Sequence, residues 1–519
     1  MADRFHILDE PLLAFGEGQV AEDPRDGLAL FGPSETHAGL ASHVVIGTQS
    51  GIQLWSGWVE ALNSPAACVD VSRQRPWPPY PGYHVAFGAD WPRPMKEYTL
   101  DAEMLSENAR KADKNERSYS VTNQYLEPVA QIERLDAKPS LVVCVVPDEV
   151  YANCRSQSYV SDPSDERKTS AQRSFLKSAL KDKVIGQQRM FDEVDEAQSA
   201  AGDLKQYGLS PDFRRQLKAR MMPHELPVQI VLESTLTITD QVRNGEPGTN
   251  PLSDRLWNFG TAVFYKCGRK PWKTPWARDG VCYVGLAYKQ ANDARGNACC
   301  AAQMFLDSGD GIVFVGEFGP WYSAEKGEFH ISRDAAEQLL RGTIETYQKQ
   351  DGRPLTEIFL HARSGINDEE YEGFLRACPD EVNLVAIRVR QDRFGPRLFR
   401  YDRHPEVTRR GMQPVLRGTF WQRTERYGLL FTTGFKPRIA TYDGWEIPVP
   451  VSITIQHGEA DLVQVATDIL GLTKLNYNAC QLGESKPITI KYSDRIGEVL
   501  LANPEVSPED WRHNFKYYI

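Results

Sequence analysis

The chain has 519 residues, with 60 Lys and Arg against 70 Asp and Glu, and a formal net charge of -10. Its 41% hydrophobic and 25% charged residues make a globular composition, which excludes a disordered chain, a collagen-like repeat and a disulfide scaffold. The longest apolar runs, such as Leu141 to Pro147, fall far short of the ~20 residues that span a bilayer, and the opening MADRFHILDEP carries acids where a secretory leader needs a basic start and an apolar core, so the expected location is the cytoplasm.

At ~150 residues per domain, the length corresponds to roughly three domains or two larger ones. Residues 1–37 are rich in Gly, Pro and Asp and read as a linker-like segment of irregular chain with short strands. His43 to Gly47 (HVVIG) predicts a buried strand. Thr48-Gln49-Ser50-Gly51 then opens a helix with apolar positions at Ile52, Trp55, Trp58 and Leu62. The proline-rich residues 74–83 predict a loop, and Ser140 to Pro147 (SLVVCVVP) has the unbroken apolar look of a parallel-sheet strand. The charged stretch 161–208 is expected to be helical and exposed. Asp212 to Met222 follows as a basic helix, Pro227 to Leu232 as a strand and Trp257 to Lys266 as a helix. Strand and helix alternate across this half in the order of a Rossmann-like domain.

The second half reads differently. Gly280 to Tyr288 and Gly311 to Gly316 predict strands at hairpin distance, joined through Asp307-Ser308-Gly309-Asp310. A helix at Ser332 to Gln350, a strand at Glu357 to His361, a helix from Asn367 to Cys378 and a strand from Asn383 to Arg390 follow. Antiparallel strands, then helix, parallel strand and helix, is the order of an RNase-H-type mixed sheet, and the proline-bearing stretch Lys270 to Pro275 is the expected domain boundary.

The nine cysteines include no CxxC pair, so zinc-ligand spacing is lacking, and the neighbours Cys299 and Cys300 read as two buried small apolar residues. With a sequence pI near 5.6, any nucleic-acid site must be local, because coating nucleic acid nonspecifically requires a basic surface. One region fits. From Arg388 to Arg438 there are twelve Arg and one Lys against Asp392, Asp402, Glu406 and Glu425, interleaved with Phe394, Phe399, Tyr401, Phe420, Trp421 and Tyr427. That is the composition of a nucleic-acid track, and equally of a solvated face of salt-bridged strands. Arg388, Arg390, Arg417 and Arg423 are its candidate contacts. On the basic helix, Arg214 and Lys218 stand four apart and share a face. Together with Gln229 on the next strand and Lys266 at the end of its helix they would suit a terminal phosphate, each charged donor making a bond about twice as strong as a neutral one. An exposed basic helix without a ligand is the alternative.

Longer motifs add a family resemblance that covers nearly the whole length. Asp23 to Pro33 (DPRDGLALFGP), Phe213 to Arg220 (FRRQLKAR), Leu226 to Leu236 (LPVQIVLESTL), Tyr265 to Trp272 (YKCGRKPW), Gly280 to Lys289 (GVCYVGLAYK), Asn297 to Asp310 (NACCAAQMFLDSGD), Leu472 to Cys480 (LTKLNYNAC) and Phe515 to Ile519 (FKYYI) resemble a short prokaryotic Argonaute. The resemblance implies a Rossmann-like MID domain over 38–270 and an RNase-H-like PIWI domain over 271–519, without the N and PAZ domains. It places Arg214, Lys218, Gln229 and Lys266 in a pocket for the guide's 5′ phosphate, with a Mg²⁺ coordinated through the carboxylate of Ile519. The metal-binding acids of a slicing PIWI domain fall on Ala287, Ser364 and Asp494. Alanine and serine cannot hold a metal pair, so the resemblance implies no slicing. It further implies a heterodimer with a protein that carries an Argonaute-associated (APAZ) domain fused to an effector. The effector closest by similarity is a TIR NADase, with a sirtuin-like NADase or a nuclease as alternatives. Pairing of a guide RNA with single-stranded plasmid or phage DNA would activate that effector, with oligomerisation of the complex and NAD depletion. A free-standing RNase-H-like endonuclease would need acids at Ala287 and Ser364, and a small-molecule α/β enzyme would need a GxGxxG or GxSxG motif; the sequence has neither.

Overall fold

The computed structural model describes residues 4–36, 41–68, 78–160, 206–238, 250–290, 298–305, 311–319, 321–323, 328–350, 354–401, 412–436, 447–503 and 511–519. In chain order the strands that position the site are β1 (Arg4–Ile7), β2 (His43–Thr48), β3 (Lys96–Leu100), β4 (Leu141–Val146), β5 (Val228–Leu232), β6 (Val281–Gln290), β7 (Ala298–Phe305), β8 (Gly311–Gly319), β9 (Glu357–Ala362), β10 (Asn383–Gln391), β11 (Thr419–Gln422), β12 (Tyr427–Leu430) and β13 (Val451–His457). The helices are α1 (Pro24–Phe31), α2 (Gln49–Asn63), α3 (Ala102–Arg110), α4 (Lys114–Leu126), α5 (Phe213–Met221), α6 (Leu252–Lys266), α7 (Arg333–Gln350), α8 (Asp368–Ala377), α9 (Leu462–Leu472) and α10 (Ser493–Leu500).

Among the described residues two sheets dominate. The first is parallel throughout, in the order β3-β2-β4-β5. Its central strands β2 and β4 are buried on both faces, which is why they read as unbroken apolar runs. Thr48 starts α2 by accepting from the Gly51 amide, and α2 buries Ile52, Trp55, Trp58 and Leu62 as its spacing predicts. The second sheet is mixed, in the order β1-β11-β12-β13-β10-β9-β6-β7-β8, with β9 parallel to both β6 and β10. One apolar cluster runs from the inner face of the first sheet (Val45, Val143, Val145) through Trp257 and Trp272 to the inner face of the second (Tyr283, Phe359, Ile387, Ile453). Each sheet packs its outer face on a separate cluster.

Two expectations are corrected. Residues 4–36 are not a linker: β1 pairs antiparallel with β11 at the edge of the second sheet, and Asp23 caps α1, with Pro24 at the first helical position. Next, β6 and its expected hairpin partner β8 are not neighbours, because β7 lies between them and pairs with both. The sequence ACCAAQMF gave no strand signal because small residues carry little β preference; the side chains of Cys299 and Cys300 lie outside the described residues. Lys270 to Pro275, the expected domain boundary, runs between α6 and β6 as partly buried chain. Trp272 is fully buried, packs against Phe15 and Tyr477 and donates its indole N–H to the Lys474 carbonyl at 3.1 Å. The helix expected over 161–208 lies outside the described residues up to 205.

Candidate phosphate-binding site

The four residues nominated on phosphate chemistry meet in one place. Asp212 caps α5 by accepting from the Arg215 amide at 3.3 Å, which sets the start of the helix and puts Arg214 and Lys218 one turn apart. β5 follows and presents Gln229. From the last turn of α6 the buried Lys266 reaches across to β5, where its ammonium donates to the Val228 carbonyl at 3.0 Å and to Gln229 Oε1 at 2.9 Å. Lys218 donates to the Tyr518 carbonyl at 3.3 Å. The guanidinium of Arg214 lies 5.7 Å from the centre of the Tyr151 ring. Between them is a cavity of about 210 Å³ lined by Arg214, Lys218, Gln229 and Lys266, and also by Ile519, the last residue of the sequence, which is itself buried.

Sequence reasoning missed several members of this wall. Arg215, Tyr151 and Asn478 line the cavity, as do Arg495 and Glu498 of α10. Glu498 accepts from Arg215 at 2.9 Å and from Lys289 of β6 at 3.1 Å, so α10 ties the cavity to the second sheet. Asn478 stands inside a motif that carried the resemblance; nothing in the local pattern pointed to Tyr151 or Arg495. A neighbouring cavity of about 260 Å³ shares Tyr151, Arg214, Gln229, Ile230 and Asn478 with the first and continues between apolar Ile230, Val231 and Phe259 and polar Thr235, Arg255 and Asn258.

The electrostatics follow from crowding like charges. Burial lowers the Lys266 ammonium from its ordinary range to about 7, with the Arg214 charge adding to the effect and Cys267 opposing it. Lys218 is pushed well below its usual value by burial, then by Lys266, Arg214 and Arg495. Cations forced together in a concave site are relieved by an anion, and a phosphate oxygen accepts charge-assisted bonds from all of them.

Two of the positions that the resemblance assigns to slicing acids lie near one another on neighbouring strands. Gly285 of β6 is level with His361 of β9, so Ala287 on β6 and Ser364 just beyond β9 stand close along the parallel pair. Ala287 is buried and Ser364 half-buried. Asp494 opens α10, and its side chain lies outside the described residues. Among the described residues no group of three or more His, Cys, Asp or Glu could hold a metal ion.

Of the candidate track arginines, three share one face of the second sheet and one does not. Arg388 and Arg390 alternate on β10, and the register carries that face through Thr454 and Ser452 of β13 to Tyr427 and Leu429 of β12 and on to Trp421 of β11. Arg388 pairs with Glu328 at 3.4 Å, Arg390 is exposed, and Arg423 lies over the Trp421 ring at 4.4 Å. Arg417 is corrected: it is buried, and its Nε donates to both oxygens of Glu10 at 3.1 and 2.9 Å, so it is an internal brace and no channel contact. Residues 402–411 and 437–446 of the basic stretch lie outside the described residues.

No family model matches the sequence, and no curated relative does. Solved structures do match in fold. The Argonaute of Clostridium butyricum, bound in that structure to a guide DNA and a 19-mer target DNA, superposes with a TM-score of 0.57 at 13% identity over 97% of this chain and 54% of its own. The A. aeolicus Argonaute gives 0.56 at 14% identity, over 99% of this chain and 55% of its own. Drosophila Piwi gives 0.55 at 12% identity, over 99% and 56%. The chain spans little more than half the length of these structures. Its fold is Argonaute-like, with the parallel sheet consistent with a MID-like and the mixed sheet with a PIWI-like part.

Proposed function

We propose that this chain binds a guide strand by its 5′ phosphate and presents it for pairing with a single-stranded nucleic-acid target. The observation that carries the reading is the convergence of Arg214, Lys218 and Lys266 on one cavity, with Gln229 holding Lys266 in place. The guide DNA and target DNA seen in the C. butyricum structure support a nucleic-acid ligand. By resemblance the guide here is RNA and the target invading DNA, with base pairing as the reader of sequence and the protein as the reader of backbone shape and charge.

The residues also fit a Mg²⁺ in one way. Asp212 is committed to capping α5, and Glu498 to Arg215 and Lys289. By the resemblance the Ile519 carboxylate would be the oxygen donor at the cavity that Ile519 lines, and one carboxylate plus ligand phosphate oxygens is a common Mg²⁺ set. The ion would supply charge neutralisation between that carboxylate and the phosphate.

In our reading the chain does not cut. A methyl group at Ala287 and a hydroxyl at Ser364 leave a pair of metal ions without the carboxylates it needs. Target recognition then acts through a partner, an APAZ-bearing effector whose chemistry, by resemblance, is that of a TIR NADase, in a plasmid or phage defence complex that depletes NAD. Sequencing the nucleic acids that copurify with the chain and its neighbouring gene product, with 5′ labelling before and after phosphatase, tests the core of this. Short 5′-phosphorylated strands are expected, and their sugar decides between RNA and DNA guides. Arg214→Ala with Lys218→Ala should abolish the preference for a phosphorylated over a hydroxyl 5′ end; unchanged preference removes the pocket assignment.

A further inference from the structure

The basic face of the second sheet ends at an open edge with an unusual surface. β1 is the edge strand, and its register with β11 sets Phe5 opposite Trp421 and Ile7 opposite Thr419. Edge strands are commonly protected by charge or proline, yet Phe5 is 57% and Ile7 62% exposed. Phe5 stacks on Trp421, with ring centres 5.3 Å apart and planes 15° from parallel, while the Arg423 guanidinium lies over the same indole at 4.4 Å. Phenyl, indole and guanidinium therefore form a short ladder of flat groups at the rim of the sheet. The same face is closed over its middle, where Leu429 and Ser452 are buried, and reopens at exposed Arg390.

We propose that this ladder is a stacking platform for the unpaired bases of a single-stranded nucleic acid, a site separate from the phosphate cavity and independent of it. Two arguments select this occupant. Every base has an aromatic face, so a platform of rings and guanidinium accepts single strands without regard to sequence. Charge points the same way: the chain is acidic overall, at -10, yet the stretch from Arg388 to Arg438 that supplies Trp421 and Arg423 has thirteen cationic residues against four acids. The acid nearest in sequence, Glu425, is exposed in the turn between β11 and β12 and stands beside Arg426.

The test is fluorescence anisotropy on the full chain with a 3′-labelled oligothymidylate that lacks a 5′ phosphate and exceeds the ~16-nucleotide upper site size of such platforms. The wild type should bind. Phe5→Ala, at an exposed position where folding is not at stake, should weaken binding roughly tenfold or more with the salt dependence unchanged, and Phe5→Tyr should restore it. Arg423→Glu should weaken binding and flatten the salt dependence. The Arg214→Ala, Lys218→Ala variant should bind the probe as the wild type does. The proposal is overturned if the wild type ignores the probe, as it would if this edge receives a strand of another protein. It is overturned equally if Phe5→Ala binds normally, or if the cavity variant alone abolishes binding.

Discussion

Lys266 carries the most information of any single residue in the candidate site. An ammonium that is buried, held by a carbonyl and an amide oxygen and faced by Arg214 is half-neutral near pH 7 in the empty cavity. A bound phosphate raises its pKa again, so binding takes up a proton. Affinity for a 5′-phosphorylated strand is therefore expected to be fullest below pH 7 and to fall as pH rises from there towards the value in the complex. Calorimetric titrations in buffers of different ionisation enthalpy measure that uptake directly; Lys266→Gln should reduce the uptake, leaving the share of Lys218, and cost about tenfold or more in affinity, the scale of one hydrogen bond to a charged group. Pairwise logic made part of this site legible. Arg214 and Lys218 share a helix face by spacing alone, and Gln229 and Lys266 entered through chemistry and resemblance. Tyr151 and Arg495 did not, since only the docking of α10 and of the short helix Asp148–Asn153 beside α5 brings them to the wall, and Arg215 was passed over beside Arg214 on the same helix. Arg417 shows the opposite failure. In a run of arginines its neighbours suggested solvent, whereas its partner Glu10 lies far away in sequence.

At the scale of elements, that pair explains how the first forty residues are held. Glu10 is buried with Arg417, and Lys474 approaches it at 2.8 Å while also donating to the carbonyls of Pro11 and Glu22 at 2.6 and 2.7 Å. Burial alone would raise the Glu10 carboxyl, but Arg417 and Lys474 outweigh it and hold it at about 2. A carboxylate held low contributes stability that is complete above its unfolded value, near 4.5, and is lost as pH falls towards 2. Urea unfolding of wild type and Glu10→Gln should therefore differ at neutral pH and converge over that window. Arg417→Ala, which takes the Nε donor from Glu10 and leaves it to Lys474, should cost about 1.5–3 kcal/mol. The second anchor is the buried pair of Arg25 on α1 and Asp254 on α6, where Arg25 also donates to the Cys480 carbonyl at 2.7 Å. Local pattern did not disclose α1: its Asp-Pro start is a helix signal, but Gly, Pro and Asp in the surrounding chain masked it. Strand β3 was missed for a related reason, as a charged edge strand with only Tyr98 and Leu100 buried. The buried central strands and amphipathic helices were legible because burial on both faces, or along one stripe, writes itself into composition.

At the scale of the whole molecule, the two sheets are not two independent bodies. One apolar cluster joins their inner faces, Glu498 bridges Arg215 of α5 and Lys289 of β6, and Gly497 lets α10 approach β6 so closely that an added Cβ would sit 2.7 Å from that of Lys289. A shared core predicts shared unfolding. Tryptophan fluorescence, which reports chiefly on the first half and its junction, and far-ultraviolet circular dichroism should give coincident denaturation curves; separate midpoints would mean that the halves melt apart. Gly497→Ala should lower the common midpoint, since neither the helix nor the strand can give way without disturbing the ion pairs at Glu498. Sequence grammar distinguished the two halves correctly by the order of their strands and helices, yet it could not show that the stretch around Trp272 is interior to both. Interiority of that kind depends on Phe15, Lys474 and Tyr477, contributed from opposite ends of the chain.

The closing segment has a practical consequence for anyone handling the protein. Asn514 bridges to Ile312 at the margin of β8, Arg512 donates to the carbonyls of Met222 and Pro223, and Tyr518 and Ile519 are buried at the wall of the phosphate cavity. Any affinity tag or fluorescent fusion appended after Ile519 would start from a residue buried in that wall. A preparation tagged there would report on ligand binding through an altered wall. A cleavable handle removed before measurement is the arrangement this architecture demands.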